Sequence, residues 1–443
     1  MNALPMTSLD QPPAPTLDRA LGEARARYIA ANPGSAAQYA KAEAVMPGGN
    51  TRSVLFYEPF PLALARGEGA FLWDADGHRY IDLLGEYTAG LYGHSNPIIR
   101  QAIDGALDGG INLGGHNLLE SRLAQLICDR FPAMERLRFT NSGTEANLMA
   151  IALAKAATGR GKIMVFLGAY HGSVLSFAGG ASPMTVPHDF VIAPYNDIAE
   201  AERLIALHGA DLAAVLVEPM LGSGGCIPAE PAFLSTLRDA TARAGALLIL
   251  DEVMTSRLSG GGRQKLLGLA PDLTTLGKYL GGGMSFGAFG GRADLMALFD
   301  PRRAGALPHA GTFNNNMLSM AAGIAGLSKL YPPEAAEALT ARGDALRARI
   351  NAACSARGAV LRVSGLGSIM NVHFTLAPIR RPADAVCDAR LRDLFFFDMI
   401  EAGIYLARRG MITLMLPLGD AEEAALLTAI EGFVDRRAAF LRG

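Results

Sequence analysis

From about residue 135 to residue 291 the chain repeats one pattern, and that pattern leaves it few folds to adopt. Short apolar runs recur with helical stretches between them: LRFTNSG, KIMVFLGAY, FVIAPYND, AAVLVEPM, ALLILDEV, DLTTLGK and FGAFGG. This alternation predicts an α/β fold, a mostly parallel sheet with helices on both faces. Half of the 443 residues are hydrophobic, enough for a large core, and the length predicts two or three cooperating units. Outside the repeating block, a helical pattern runs from Asp18 to Ala31, and NPGS (32–35) ends it and offers Ser35 as the next N-cap. AFLWDADGHRYIDLL (70–84) alternates around Asp76-Gly77, a hairpin signal. After about residue 325 come a long helical pattern, SGLGSIMNVHF, and a final helix from about Ala421, which read as a separate α/β unit. The first fifteen residues are Pro-rich and read as a loose arm.

Charge and cysteine usage narrow the function classes. Lys plus Arg number 40 and Asp plus Glu 42, a net charge of −2, with no long basic block. That argues against a nucleic-acid or membrane-surface role. Cys128, Cys226, Cys354 and Cys387 are scattered without a CxxC pair, as expected of reduced thiols rather than disulfides or a metal site. The opening MNALPMTSLDQPPAP lacks a charged segment followed by an apolar one, and no apolar stretch approaches membrane-spanning length. A soluble cytoplasmic protein is the expectation.

In open parallel sheets ligands bind beyond the carboxyl ends of the strands. The polar residues that end the apolar runs are Ser142-Gly143-Thr144, Tyr170-His171, Glu218, Asp251-Glu252 and Lys278. Their convergence on one crevice is the expectation. Lys278 stands between an apolar run and a triple glycine, with no other basic group until Arg292. A lysine among apolar groups loses charged-state solvation, its pKa falls, and its neutral amine becomes a nucleophile able to form a Schiff base. Ser142, Gly143 and Thr144 lie between a strand and a helix, where free N–H groups and hydroxyls suit a phosphate. A capping box of Ser142 with Glu145 is the plainer reading of the same residues, and both can hold. Asp251 ends an apolar strand, as the magnesium carboxylate of a nucleotide hydrolase would. That reading requires GxxxxGK[ST], and Ala156 and Asp272 stand where the first glycine would be. The other use of such a carboxylate is to pair with a cationic ring nitrogen. Tyr170 suits stacking on a flat ring, with core packing as its plainer role. Lysine, carboxylate, phosphate cup and aromatic together fit pyridoxal 5'-phosphate.

At this point the sequence resembles the class III aminotransferases of fold type I, from about Pro47 to the C-terminal helix. RFTNSGTEAN, YHG, VEP, GALLILDEVMTSR, PDLTTLGKYLGGG and HAGTFNNN stand in the family's order. The resemblance implies a large domain over 86–325 and a small α/β domain. Residues 1–85 (arm and part of the small domain) and 326–443 would supply the latter. It implies a homodimer with shared sites, in which Thr312 reaches the phosphate of the partner chain and Val253 packs on the ring face opposite Tyr170. His171 and Glu218 fall among the cofactor-binding positions, and no metal is implied.

Two branches of the class compete. PDLTTLGK, GGG and DEVMT resemble glutamate-1-semialdehyde 2,1-aminomutase. That branch usually reads Gly-Thr-Leu-Ser-Gly-Asn where Gly311 to Asn316 read GTFNNN, and it usually carries Ser-Pro-Val-Arg near the N-terminus. GGNTRSVLFYEPFP, EYTAGLYGHS, GGINLGGHN, GKYLGGGMSFGAFGG, GTFNNN and IYLARRG look very like the β-phenylalanine aminotransferases. This resemblance implies transfer of amine from an aromatic β-amino acid to 2-oxoglutarate or pyruvate, with Lys278 as general acid–base. Another β-amino acid or a D-arylglycine is the alternative donor. Arg52 is the implied anchor of the β-carboxylate and Arg409 the second substrate arginine, with the aromatic group on its side. Arg408 departs from the pattern, since proline precedes that arginine in the family. A regulator that merely senses the cofactor is disfavoured, because no DNA-binding segment is appended.

Overall fold

The computed structural model describes residues 16–442, and the expected Pro-rich arm lies outside the described residues. The seven apolar runs form seven strands of one sheet: β1 (Arg136–Thr140), β2 (Lys162–Phe166), β3 (Asp189–Ala193), β4 (Leu212–Val217), β5 (Leu247–Asp251), β6 (Leu273–Gly277) and β7 (Gly287–Gly291). Their spatial order is β1-β7-β6-β5-β4-β2-β3. Every residue of β4, β5 and β6 is buried, as a sheet covered on both faces requires. Helices Gly143–Thr158, Ile198–His208 and Pro231–Ala244 pack against the strands.

β7 runs antiparallel to both neighbours, while β2 to β6 pair in parallel. The reason is length. Residues 278–286 alone separate β6 from β7, and a parallel return takes a crossover of about a dozen residues. β7 is also the strand where glycine is needed. A Cβ on Gly287 would lie 2.2 Å from the Ser142 carbonyl oxygen, so only a bare backbone passes the start of the 143–158 helix.

The two ends of the described chain meet in a second sheet. Phe71–Asp74 and Arg79–Asp82 form the expected hairpin, Leu72 opposite Tyr80, and Ile404–Tyr405 pairs in parallel with the second strand. A third, antiparallel sheet joins Arg362–Leu366, Ile369–His373 and Met411–Thr413. The long helix after residue 325 is Pro333–Ala356, and the last long helix is Asp420–Arg436.

One expected boundary is corrected. The first helix, Leu17–Ala31, ends as predicted, but the next spans Pro33–Glu43 with Asn32 as N-cap, so Ser35 lies inside it. Pro33 needs no acceptor for an N–H and opens the helix earlier. The free N–H groups of Gly34 and Ser35 donate to Asp76 of the hairpin at 2.5 and 2.9 Å, which replaces the side-chain cap. Among the described residues no helix is long and apolar enough to cross a membrane, no cluster suits a metal ion, and the four cysteines are free.

Candidate active site

β1 delivers Ser142 to the start of the 143–158 helix. Its Oγ accepts the Glu145 N–H at 3.2 Å, while the Glu145 carboxylate takes the Asn141 N–H at 2.8 Å rather than that of Ser142. Only one arm of the capping box therefore exists. Among the described residues the N–H groups of Gly143 and Thr144 find no acceptor, which leaves an anion-binding helix end. Two neighbours press on this end. A Cβ on Gly143 would lie 2.9 Å from Val253, and one on Gly172 would lie 2.2 Å from Thr144 Oγ1.

β5 ends in Asp251, 4% exposed, with three hydrogen-bonding partners. Its Oδ2 meets His171 Nδ1 at 2.7 Å and accepts Asn147 Nδ2–H at 2.9 Å, while Oδ1 accepts the Val253 N–H at 3.0 Å. Asn147 also donates to the His171 carbonyl and accepts from the Thr275 hydroxyl, locking β5, β6 and the helix together. The motif reading passed over Asn147. Its signal was a poor helix former inside the Ala-rich GTEANLMA turn. His171 Nε2 is buried without a partner.

β4 ends at Glu218, whose carboxylate accepts the N–H groups of Tyr170 at 2.9 Å and Gly222 at 3.0 Å. Burial pushes its carboxyl up to about 7, against the pull of His171. It positions the backbone of Tyr170, whose ring is 45% exposed at the strand end. Glu252 does not join the crevice. Its carboxylate accepts from Thr255 Oγ1 and from the N–H groups of Arg263 and Gln264, so it caps the short Gly262–Leu267 helix instead.

Lys278 leaves β6 in the left-handed conformation, φ 57°. Nζ donates to the Tyr87 carbonyl at 2.7 Å. Burial first, then the nearby Arg409 guanidinium, bring its amine down to about 8. The expected lowered lysine is present, with a cause the sequence did not contain: a second cation from residue 409.

The acceptor of that amine lies in unusual backbone. Glu86, Tyr87 and Thr88 all have positive φ, 46°, 52° and 81°. Each costs about 1 kcal/mol or more for a non-glycine residue, and such strain concentrates where the surrounding structure fixes it for use. Arg257, fully buried, donates to the Thr88 and Leu414 carbonyls and fixes this turn from below.

Both predicted substrate arginines come to the same turn. The Arg52 guanidinium lies 5.5 Å and that of Arg409 5.1 Å from the Tyr87 ring centroid. Arg52 is ion-paired with Glu86. Arg409 has no carboxylate partner among the described residues; it donates to Ser223 Oγ at 3.1 Å and lies 3.5 Å from Met411 Sδ. Arg408 points elsewhere, to Asp393 at 2.8 Å. Tyr87 and Arg257 stand inside the motifs EYTAGLYGHS and GALLILDEVMTSR, but neither they nor Ser223 were given a part, because that part depends on a backbone conformation and on distant loops.

Thr312, expected to serve the site of the partner chain, is likewise not gathered here. It is exposed and lines a separate open cleft of about 1160 Å³ with residues 111–117, His309 and residues 311–317.

Residues 56–433 match the family Aminotransferase class-III. The chain is 58% identical over 426 residues to a beta-phenylalanine transaminase from Variovorax paradoxus, covering 96% of this chain and 98% of that one. The crystal structure of a beta-phenylalanine aminotransferase from the same organism superposes with a TM-score of 0.95 at 57% identity, covering 96% and 99%. A glutamate-1-semialdehyde 2,1-aminomutase from Nitratidesulfovibrio vulgaris is 39% identical over 412 residues, 88% and 96% of the two chains. The protein belongs to the class III aminotransferases, with the fold type I architecture. It is an aminotransferase whose cofactor is pyridoxal 5'-phosphate. The residues present fit that group: an amine lowered to about 8, a buried carboxylate near enough to act on its charge, and a helix end with unclaimed N–H groups beside Gly277.

Proposed function

We propose that this aminotransferase takes the amine of an aromatic β-amino acid of the β-phenylalanine kind and passes it to 2-oxoglutarate or pyruvate. The observation that carries this reading is the pair of guanidiniums at the Tyr87 ring, beside the carbonyl that holds Lys278. A β-amino acid presents its carboxylate one carbon further from the amine than the amino acid formed from the acceptor. Two arginines around one lysine serve carboxylates at two reaches, Arg52 for the β-carboxylate and Arg409 for the second acid of 2-oxoglutarate. Arg409, lacking a carboxylate, is the one free to pair.

In the proposed roles, Ser142, Gly143 and Thr144 would take the cofactor phosphate on the helix end. Asp251, backed by His171 and Asn147, would balance the charge of a protonated ring nitrogen. Tyr170 and Val253 would cover the ring faces, and Glu218 would hold the Tyr170 backbone. The cofactor, when bound, supplies an electron sink for the carbon that loses its proton. Lys278 Nζ would carry that proton away and return it.

We propose a homodimer in which Thr312 serves the site of the second copy. Its exposure in an open cleft beside Phe313, itself 56% exposed, supports this. Grouping residues 1–85 with 326–443 as the small domain, apart from 86–325, draws support from the 404–405 strand beside the hairpin. The free cysteines support the cytoplasm as the compartment.

The test is an amine-transfer assay with 3-amino-3-phenylpropanoate and 2-oxoglutarate or pyruvate, run beside glutamate 1-semialdehyde alone. Acceptor-dependent release of amine from the aromatic donor is expected. Turnover of the semialdehyde without an acceptor, and none of the aromatic donor, would assign the aminomutase reaction instead.

A further inference from the structure

Tyr87 is 8% exposed and lies where three groups meet. Its carbonyl receives Lys278 Nζ at 2.7 Å, and its ring faces the guanidiniums of Arg52 at 5.5 Å and Arg409 at 5.1 Å. Its backbone is left-handed, φ 52°, inside a run of three such residues tied by Arg257 to Leu414. A tyrosine gains nothing locally from that conformation, so tertiary contacts hold it there. The hydroxyl takes no part in any hydrogen bond among the described residues, so the ring is what the site uses.

We propose that the Tyr87 ring is the positioning and specificity element that holds both carboxylate-binding guanidiniums toward Lys278 when no substrate acid is present. This rests on the carboxylate roles of Arg52 and Arg409 proposed above. Attraction of a guanidinium to a ring face consumes no N–H donor, so Arg409 keeps its forked edge for a carboxylate, while Arg52, ion-paired with Glu86, exchanges that partner to bind one. The ring is thus a seat that remains compatible with binding. Arg409 needs such a seat. Half-buried and without a carboxylate, its guanidinium has only the Ser223 hydroxyl and the Met411 sulfur as hydrogen-bond partners among the described residues, where its buried Nε has none. An unpaired guanidinium in partly apolar surroundings would otherwise turn to water. One ring serving two arginines also ties the donor and acceptor reaches to a single residue, fixed by backbone to the lysine between them.

The experiment compares Tyr87→Phe, Tyr87→Leu and Tyr87→Met as holoenzymes of checked melting temperature and cofactor content. Tyr87→Phe is expected to keep both Michaelis constants within about twofold of wild type, since a phenyl face also attracts a cation. Tyr87→Leu is expected to raise the constants for the β-amino acid and for 2-oxoglutarate each about fivefold, with saturated single-turnover rates within about threefold. Inhibition by 3-phenylpropanoate should weaken to the same degree, while inhibition by the uncharged 3-phenylpropanol stays unchanged. Tyr87→Met replaces the leucine variant if the latter does not fold. Equal constants for leucine (or methionine) and wild type, or a phenylalanine variant as impaired as the leucine one, overturn the proposal. So does equal weakening by the alcohol, which marks general damage. Arg52→Ala and Arg409→Ala serve as references: if neither changes a Michaelis constant, the carboxylate reading itself fails, a result separate from failure of the ring alone.

Discussion

Asp251 and Arg409 both act on the charge of Lys278, one favouring it and the other opposing it, and the fold holds them in contrasting ways. Asp251 stands at the end of a fully buried strand, and a histidine, an asparagine and the Val253 N–H bind its oxygens. Arg409 stands on a loop, without a carboxylate, against a hydroxyl, a thioether and a ring. A charge whose partner never changes can be fixed by a saturated network, at the end of rigid sheet. A charge whose partner changes from one half of a reaction to the other must stay underbonded, and loops with adjustable neighbours supply that. The sheet side thus serves the constant cofactor, and the loop side serves the exchanged substrates.

The lysine stands between the two halves and depends on both. Lys278→Ala is expected to lower turnover by about 10³-fold or more. Borohydride should no longer fix the cofactor to the chain. A variant still labelled by borohydride would show that another amine does the work. Asp251→Asn comes next, with an expected loss of about a hundredfold, or about 2.7 kcal/mol in the barrier. The amide keeps the shape but not the charge that the fixed network presents. A variant within threefold of wild type would show that the saturated carboxylate is structural. Glu252 would not replace it, since that side chain caps a helix on its own.

Arg409→Ala and Arg52→Ala sharpen the loop side. Removing Arg409 is expected to raise the Michaelis constant for 2-oxoglutarate about tenfold or more, the worth of a charge-assisted pair, and to spare amine donation from β-phenylalanine. Removing Arg52 is expected to harm the donor half directly. Stopped-flow recording of the cofactor absorption, one half-reaction at a time, separates the two. Equal losses in both halves for Arg409→Ala would mean that this cation is as fixed in purpose as Asp251.

The same contrast explains what the sequence revealed. Strand-end residues were legible because an apolar run stops at a known place and the next polar residue must project beyond the sheet. Asp251, His171 and Lys278 were placed that way. Asn147 was hidden because a buried asparagine within a helix shows no period of its own. Tyr87 and Ser223 were hidden for a different reason: their relation to Arg409 spans 322 and 186 positions of the chain, and the first also depends on a left-handed turn that runs on from Gly85 through three non-glycine residues. Ser35 was misplaced because Asp76, some forty residues on, satisfies the helix start that a local cap would otherwise need.

The smallest expected effect joins the two halves through the lysine itself. Only neutral Lys278 can attack, and its amine is brought down to about 8 from an ordinary 10.5. Capture of pyridoxal phosphate by cofactor-free protein should therefore quicken about tenfold per pH unit below 8 and level off above it, not near 10.5. The sign for stability follows from the same lowering. Below about 8 both folded and unfolded chains hold the proton, and the cost of the buried ammonium is borne in full. Between about 8 and 10.5 the unfolded chain binds more protons at this site, so its contribution makes the cofactor-free protein more stable as pH rises. Burial is the largest cause of the lowering and Arg409 the next, so Arg409→Ala should move the capture inflection upward without restoring the ordinary value. Arg52→Ala should move it less, since Arg52 comes last among the causes. Capture rates against pH for the three proteins check this. An inflection unmoved by Arg409→Ala would show that the loop cation, however free, does not reach the lysine's charge, and would separate the two halves that this comparison joins.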